Sequence, residues 1–204
     1  MRKPTDDHKQ ENQVMSTLEE VLRATSRTFA IGIEGLPSPL REEMRIAYLV
    51  LRVSDYLEDN TTLQPGEKAD LLDSWASVLD GAKPSPELLD HLGTTTDPSP
   101  DSMAAHHTQD ILRALQGLPT RAQEAIRVHT RDSTLGMARW VLRGPRIENE
   151  GDLDDYMHEV AGRVGYLITD LFSLFSPRVA SMRSEMMDLG QEFGLALQTV
   201  NIVR

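Results

Sequence analysis

Three carboxylates, Asp55, Glu58 and Asp59, close the segment Tyr48-Leu49-Val50-Leu51-Arg52-Val53-Ser54-Asp55-Tyr56-Leu57-Glu58-Asp59. On a helix, residues three and four apart share a face, so these acids project together, with Arg52 one turn before Asp55 on the same side. The rest of that helix is apolar nearly all round (Leu40, Met44, Ile46, Ala47, Leu49, Val50, Leu51, Val53, Leu57), the pattern of an element buried in a larger helical body. An acidic triplet at this spacing is, in most proteins, a solvated helix end. The apolar surroundings argue instead for enclosure, and enclosed ionised groups need partners or a metal. Closely spaced carboxylates on a rigid element suit Mg²⁺, a hard cation that keeps several waters and binds through one or two carboxylates together with substrate phosphates.

The elements that must hold these groups are helices. Helical periodicity dominates, and no stretch between turn signals alternates with period two, so the expected fold class is all-α. Ser16-Thr17-Leu18-Glu19 has the form of a capping box and predicts a first helix running toward Gly35-Leu36-Pro37. This leaves 1–14 as a flexible N-terminal arm before a single helical domain over 15–204. Ser38-Pro39 opens a second helix, serine as cap and proline at the first helical position, and carries the acids to its end near Asn60. A third follows Pro65-Gly66 and stops near Gly81. The segment 81–101, rich in Pro, Ser, Thr and Gly, reads as a surface loop with one helical turn at Glu87 to His91. Further helices are predicted over Asp101 to Gln116, over Thr120 to Arg143, over Asp152 to Phe175, and from Ser176-Pro177 to Arg204. The second of these opens with Thr120-Arg121-Ala122-Gln123, another capping-box pattern, and closes at Gly144-Pro145.

A chain of 204 residues is long enough for one substantial core. Lys and Arg number 21 against 32 Asp and Glu, a formal net charge of −11 that argues against nucleic acid as a partner. With no cysteine, disulfides, thiolate zinc sites and cysteine nucleophiles are excluded. Met1 to Gln13 is polar and lacks the apolar core of a secretory signal. No run of about eighteen apolar residues is uninterrupted, so no transmembrane segment is expected and the cytoplasm is the expected location. His106 and His107 are adjacent and point apart, and His129 and His158 have no ligand at tight spacing, so no histidine metal site is expected. Tyr56 and Trp140 read as packing residues, and the nine methionines as core filler.

Two later segments are unusual. Gly162 and Gly165 sit three apart inside an apolar helix, where each glycine costs nearly 1 kcal/mol against alanine, so something approaches the backbone closely: a neighbouring helix, or a ligand chain lying along it. Near the carboxyl end, Gln198 and Asn201 share one face of another apolar helix, where buried amides need hydrogen-bond partners from the core or from a ligand.

Taken together, four segments resemble the squalene/phytoene synthase family, its squalene synthases in particular. They are Ser26-Arg27-Thr28-Phe29, Tyr48 through Asp59, Tyr156 through Gly165 followed by Leu171-Phe172, and Gln198 through Arg204, with Gly136-Met137-Ala138 a weaker fifth. Each is weak alone, but their order and spacing match from about Val14 onward. The resemblance implies an isoprenoid-synthase-type antiparallel helix bundle around a central apolar cavity. The implied activity is head-to-head condensation of two farnesyl diphosphates to presqualene diphosphate and squalene, with Mg²⁺ as cofactor and NADPH as reductant. Dehydrosqualene or phytoene formation is the close alternative, and a non-catalytic binding or assembly protein the alternative of another class.

The resemblance also assigns roles. Asp55, Glu58 and Asp59 belong to a first aspartate-rich motif that binds Mg²⁺ and diphosphate. Ser26, Arg27 and Arg52 help hold phosphates, and Phe29 and Tyr48 line the pocket near the reacting carbons. Tyr156 takes the place of a catalytic tyrosine, Gly162 and Gly165 lie along the prenyl chain, and Gln198 and Asn201 complete the far wall. A water-insoluble product would bring the protein into loose contact with a membrane surface. The chain departs from the family in two places. The second aspartate-rich motif and the C-terminal helices that close the family's cavity would follow Arg204, so a truncated, poorly active form is expected. Arg163 stands where the family usually has an apolar residue, either as a phosphate contact or facing outward.

Overall fold

A computed structural model describes residues 4–94, 99–144 and 146–202, the side chains of residues 4–12, Arg27 and Asn201 apart. Every regular element among them is helical. The helix read as starting at Ser16 runs as α1 (Pro4–Thr25) and breaks at Ser26, whose backbone turns extended (φ −159°, ψ 115°). The Ser26 hydroxyl accepts the Phe29 amide at 3.2 Å and starts α2 (Arg27–Glu34), so one expected helix is two, hinged by a cap.

Helix α3 (Leu40–Asp59) is the central strut, in contact with α1, α2, α4, α6, α7, α8 and α10, and Ile46, Leu49, Val50, Val53 and Leu57 on it are fully buried. Its most deeply buried polar residue, Ser54, is satisfied from two sides. Ser54 Oγ lies 2.8 Å from Thr134 Oγ1 and accepts the Trp75 indole N–H at 3.1 Å, which ties α3 to α4 (Pro65–Leu79) and α8 (Thr120–Arg143).

The segment read as a surface loop holds α5 (Pro86–Gly93) and the start of α6 (Pro100–His106), and Leu88 and Leu92 of α5 enter the main core. Caps explain both starts: Ser85 and Ser99 each precede a proline and accept an amide three residues on. The helix expected over Asp101 to Gln116 breaks at His107, after which α7 (Thr108–Gly117) begins. At the head of α8 no capping box forms, because the Gln123 amide reaches back to the carbonyls of Gln116 and Leu118 at 3.0 and 2.8 Å. Its close is as expected, at Gly144 with φ 91°.

The long helix after Asn149 is α9 (Glu150–Met157), one π turn (His158–Gly162) and α10 (Arg163–Phe175) in succession. A short α11 (Pro177–Ser181) leads to α12 (Arg183–Ile202). The glycines settle how α10 and α12 meet. A Cβ on Gly165 would lie 2.0 Å from the Gly190 carbonyl oxygen, and one on Gly194 would lie 2.3 Å from that of Ala161. Helix packing therefore accounts for Gly165 and for Gly162, whose added Cβ would meet Leu195 Cδ1 at 3.2 Å. No described helix is long and apolar enough to cross a membrane.

Gly165→Ala should force α12 away from α10 and cost about 1–3 kcal/mol, the usual range for overpacking. Urea titration checks this, with Gly66→Ala, where added bulk meets open space, as the neutral reference.

Candidate active site

One face of α3 forms the floor of a cavity of about 370 Å³. The face steps along the helix by threes and fours, from Met44 through Ala47, Tyr48 and Leu51 to Arg52, Asp55, Glu58 and Asp59. It is apolar at one end and ionic at the other. Helix α2 adds Phe29 and Ile33; Tyr156, the π turn and α10 add a wall of Val160, Ala161, Val164, Gly165, Leu167 and Ile168. Helix α12 closes the far side with Phe193, Gly194, Leu197 and Gln198. On the α2 and α12 sides the enclosure is open, since Phe29 is 49% and Phe193 60% exposed. The Phe29 and Tyr48 rings pack against each other at 5.7 Å and 36°.

At the ionic end Arg52 is held between two carboxylates. Its Nη1 lies 2.9 Å from Asp55 Oδ2, while Nε and Nη2 make a bidentate pair with Asp101 at 2.9 and 2.6 Å. Burial alone would loosen its proton, but Asp55 and Asp101 outweigh that and hold the proton more firmly than in water. Glu58, by contrast, has no arginine; burial pushes its carboxyl up to about 8, helped by Asp55 and Asp59, against a smaller opposite pull from Lys68. Burial likewise raises Asp55 to about 6 despite Arg52, with Asp59 and Asp101 adding repulsion. Asp59 is raised by burial and by Asp101, against Arg52 and Lys68. The Tyr156 hydroxyl is raised by burial first and then by all three acids, so it keeps its proton across the neutral range.

The donor set at this end is hard oxygen, which suits Mg²⁺. Among the described residues no three His, Asp or Glu side chains converge closely enough to hold a metal ion by themselves. The acids thus fit an ion that draws its remaining ligands from water and a bound phosphate, the usual mode for Mg²⁺.

Of the residues singled out from the sequence, Phe29, Tyr48, Arg52, Asp55, Glu58, Asp59, Tyr156, Gly165 and Gln198 line this one cavity. Ser26 is spent on capping α2, and Gly162 packs on α12; neither lines the cavity. Arg27 and Asn201 lie in helices, their side chains outside the described set. Arg163 turns away from the cavity into an ion pair with Glu159. Sequence reasoning missed Asp101, which is 49 positions from Arg52 and carries no local signal for the pair. It also passed over Ile33, Phe193 and Leu197, whose apolar spacing reads equally well as core.

The fold and the site together are an all-α bundle with an apolar cavity rimmed by acids on one central helix. The model of the squalene/phytoene synthase family matches residues 22–204, and the chain belongs to that family. Squalene synthase BSS of Botryococcus braunii is 35% identical over 199 residues, spanning 91% of this chain and 38% of that protein. Squalene synthase of Homo sapiens is 29% identical over 201 residues, spanning 98% and 46%. The solved structure of TcSQS in complex with the ligand BPH1237 superposes with a TM-score of 0.75 at 26% identity, over 94% of this chain and 53% of that one. The chain thus spans between 38% and 53% of the length of these relatives. The isoprenoid-synthase-type fold expected from the sequence is the fold observed.

The raised carboxyls have a consequence for stability. Glu58 and Asp55 rise from ordinary values of 4.5 and 3.8 to about 8 and about 6, so between those limits the folded chain binds more protons than the unfolded one. Without metal, stability from these groups falls as pH rises from about 4 to about 8. Glu58→Gln, which mimics the protonated acid, should melt above the parent chain at pH 8 and level with it near pH 4.5. Thermal scans in EDTA at the two pH values test this, and an equal offset at both would contradict it.

Proposed function

We propose that the cavity binds prenyl diphosphates and that the chain serves the head-to-head condensation of two farnesyl diphosphates to presqualene diphosphate and squalene, with release of diphosphate. The polarity gradient along one face of α3, from Met44 to Asp59, is the observation that carries this reading. A farnesyl diphosphate is itself an apolar chain with an anionic head. Membership of the squalene/phytoene synthase family and the likeness to squalene synthases support the same reading.

In this reading Asp55, Glu58 and Asp59 hold Mg²⁺ together with the substrate diphosphate. When bound, the ion neutralises charge on the leaving group. Arg52 adds a fixed positive charge beside the same head group, and its grip on Asp101 keeps it aimed there before substrate arrives. The apolar half of the α3 floor and the wall from the π turn and α10 keep water from the allylic carbons on the closed side of the cavity as the carbon–oxygen bond breaks. The faces of Phe29 and Tyr48 lie where positive charge develops and favour it through their negative quadrupoles. Tyr156, protonated at neutral pH, acts as a hydrogen-bond donor between the acids and the apolar wall rather than as an ionised base. Reduction to squalene calls for a hydride donor, NADPH in this reading, although the chain carries no Gly-rich dinucleotide fingerprint. A lipid-soluble product would keep the protein near a membrane surface.

Calorimetric binding of a non-hydrolysable farnesyl thiodiphosphate to the 204-residue chain should require Mg²⁺. Asp55→Asn should weaken it at least about tenfold, roughly 1.4 kcal/mol, and Asp73→Asn on the exposed face of α4 should not. Binding that ignores both Mg²⁺ and Asp55→Asn would refute the proposal. Diphosphate release and product analysis in a form extended beyond Arg204 then separate squalene from phytoene or dehydrosqualene formation.

A further inference from the structure

The π turn begins two residues after Tyr156, at His158. In it the Arg163 amide reaches the His158 carbonyl five residues back, one residue more than an α turn allows. Tyr156 and Ala161, five apart, consequently both line the cavity, while Glu159 between them points the opposite way into α8.

There Glu159 is buried, with 4% exposure, and every contact around it is built for it. Arg163 Nε meets Oε2 at 2.5 Å and its Nη2 meets Oε1 at 3.3 Å, with Arg139 Nη2 also 3.3 Å from Oε1. Ser133 Oγ donates to the Glu159 carbonyl oxygen at 2.7 Å. Gly136 supplies the space: a Cβ there would lie 2.3 Å from Glu159 Oε2 and 2.6 Å from its Cβ. One turn earlier, Asp155 accepts from Arg139 at 2.7 Å and from the Trp140 indole N–H at 2.9 Å, and Trp140 meets the Tyr156 ring edge-on at 5.6 Å.

We propose that Glu159, locked by Arg163 into the notch at Gly136, is a positioning residue that holds the π turn and thereby sets the ring of Tyr156 against the cavity. A buried carboxylate needs its partners, and Arg163, one turn on along the same helix, is the nearest of them. Losing the lock lets the turn relax to α geometry, which rotates the helix before it by about 100° relative to the helix after it. Any catalytic role of Tyr156 rests on the function proposed above; its placement does not, and the test uses no substrate.

The test is NMR of the full chain with ¹³C-labelled tyrosine rings, the Tyr156 signal assigned by its loss in Tyr156→Phe. Tyr56, buried in the main core, is the internal control. Glu159→Leu and Gly136→Ala should each erase the ring-current shift that Trp140 imposes on Tyr156 and leave the Tyr56 signal in place. Glu159→Gln, which keeps the shape and one of the two acceptor oxygens, should retain part of that shift. Should Glu159→Leu not fold, Gly136→Ala decides alone. An unmoved Tyr156 signal in a folded variant overturns the proposal, as does equal displacement of Tyr156 and Tyr56.

Discussion

Helix α3 must be dry on most of its circumference and ionic at one end, and the surrounding helices are arranged around that conflict. The dry faces are met by α1, α4, α7 and α8, which leave Ile46, Leu49, Val50, Val53 and Leu57 without solvent. The ionic end is too crowded with carboxylates for one arginine to balance. Arg52 is shared between Asp55 and Asp101, and Glu58 is left to keep a proton near neutrality. Burial is the main reason those protons are held, and in the reading proposed above a divalent ion bound at this end would release them.

The opposite wall is made by a different device. Helices α10 and α12 touch through glycine, with the Gly165 and Gly190 backbones in direct apposition, and this close seam places Gly194, Leu197 and Gln198 beside Val164 and Gly165 around one space. The phase of this wall depends on the π turn, which keeps Tyr156 in line with Val160 and Ala161 while sending Glu159 to α8.

What could be read from the sequence was what local spacing encodes. Asp55, Glu58 and Asp59 share a face because they lie three and four apart, and Tyr48 and Arg52 precede them on it, so the floor of the site was legible. Asp101 was not, since nothing within its own helix marks a partner 49 residues away. Ser26 also has a local role that the sequence did not announce, since its hydroxyl accepts the Phe29 amide at a helix break that the continuing apolar pattern disguises. The glycine pair announced a close approach without naming the neighbour, because a helix and a ligand leave the same mark on composition. Helix α5 was read only as a single turn at Glu87 to His91 because of the prolines and serines around it, although Leu88 and Leu92, four apart, were its signature. A single π turn leaves no trace in a 3.6-residue period read over a long window.

The glycine seam also limits how this wall can vary. With no side chain between the two backbones, the seam sets how closely α12 lies on α10, and any Cβ added there would push the two helices apart. The side chains that set the depth of the hollow beside that seam are Phe193 and Leu197, so a change of bulk at either would reshape the hollow without parting the two helices.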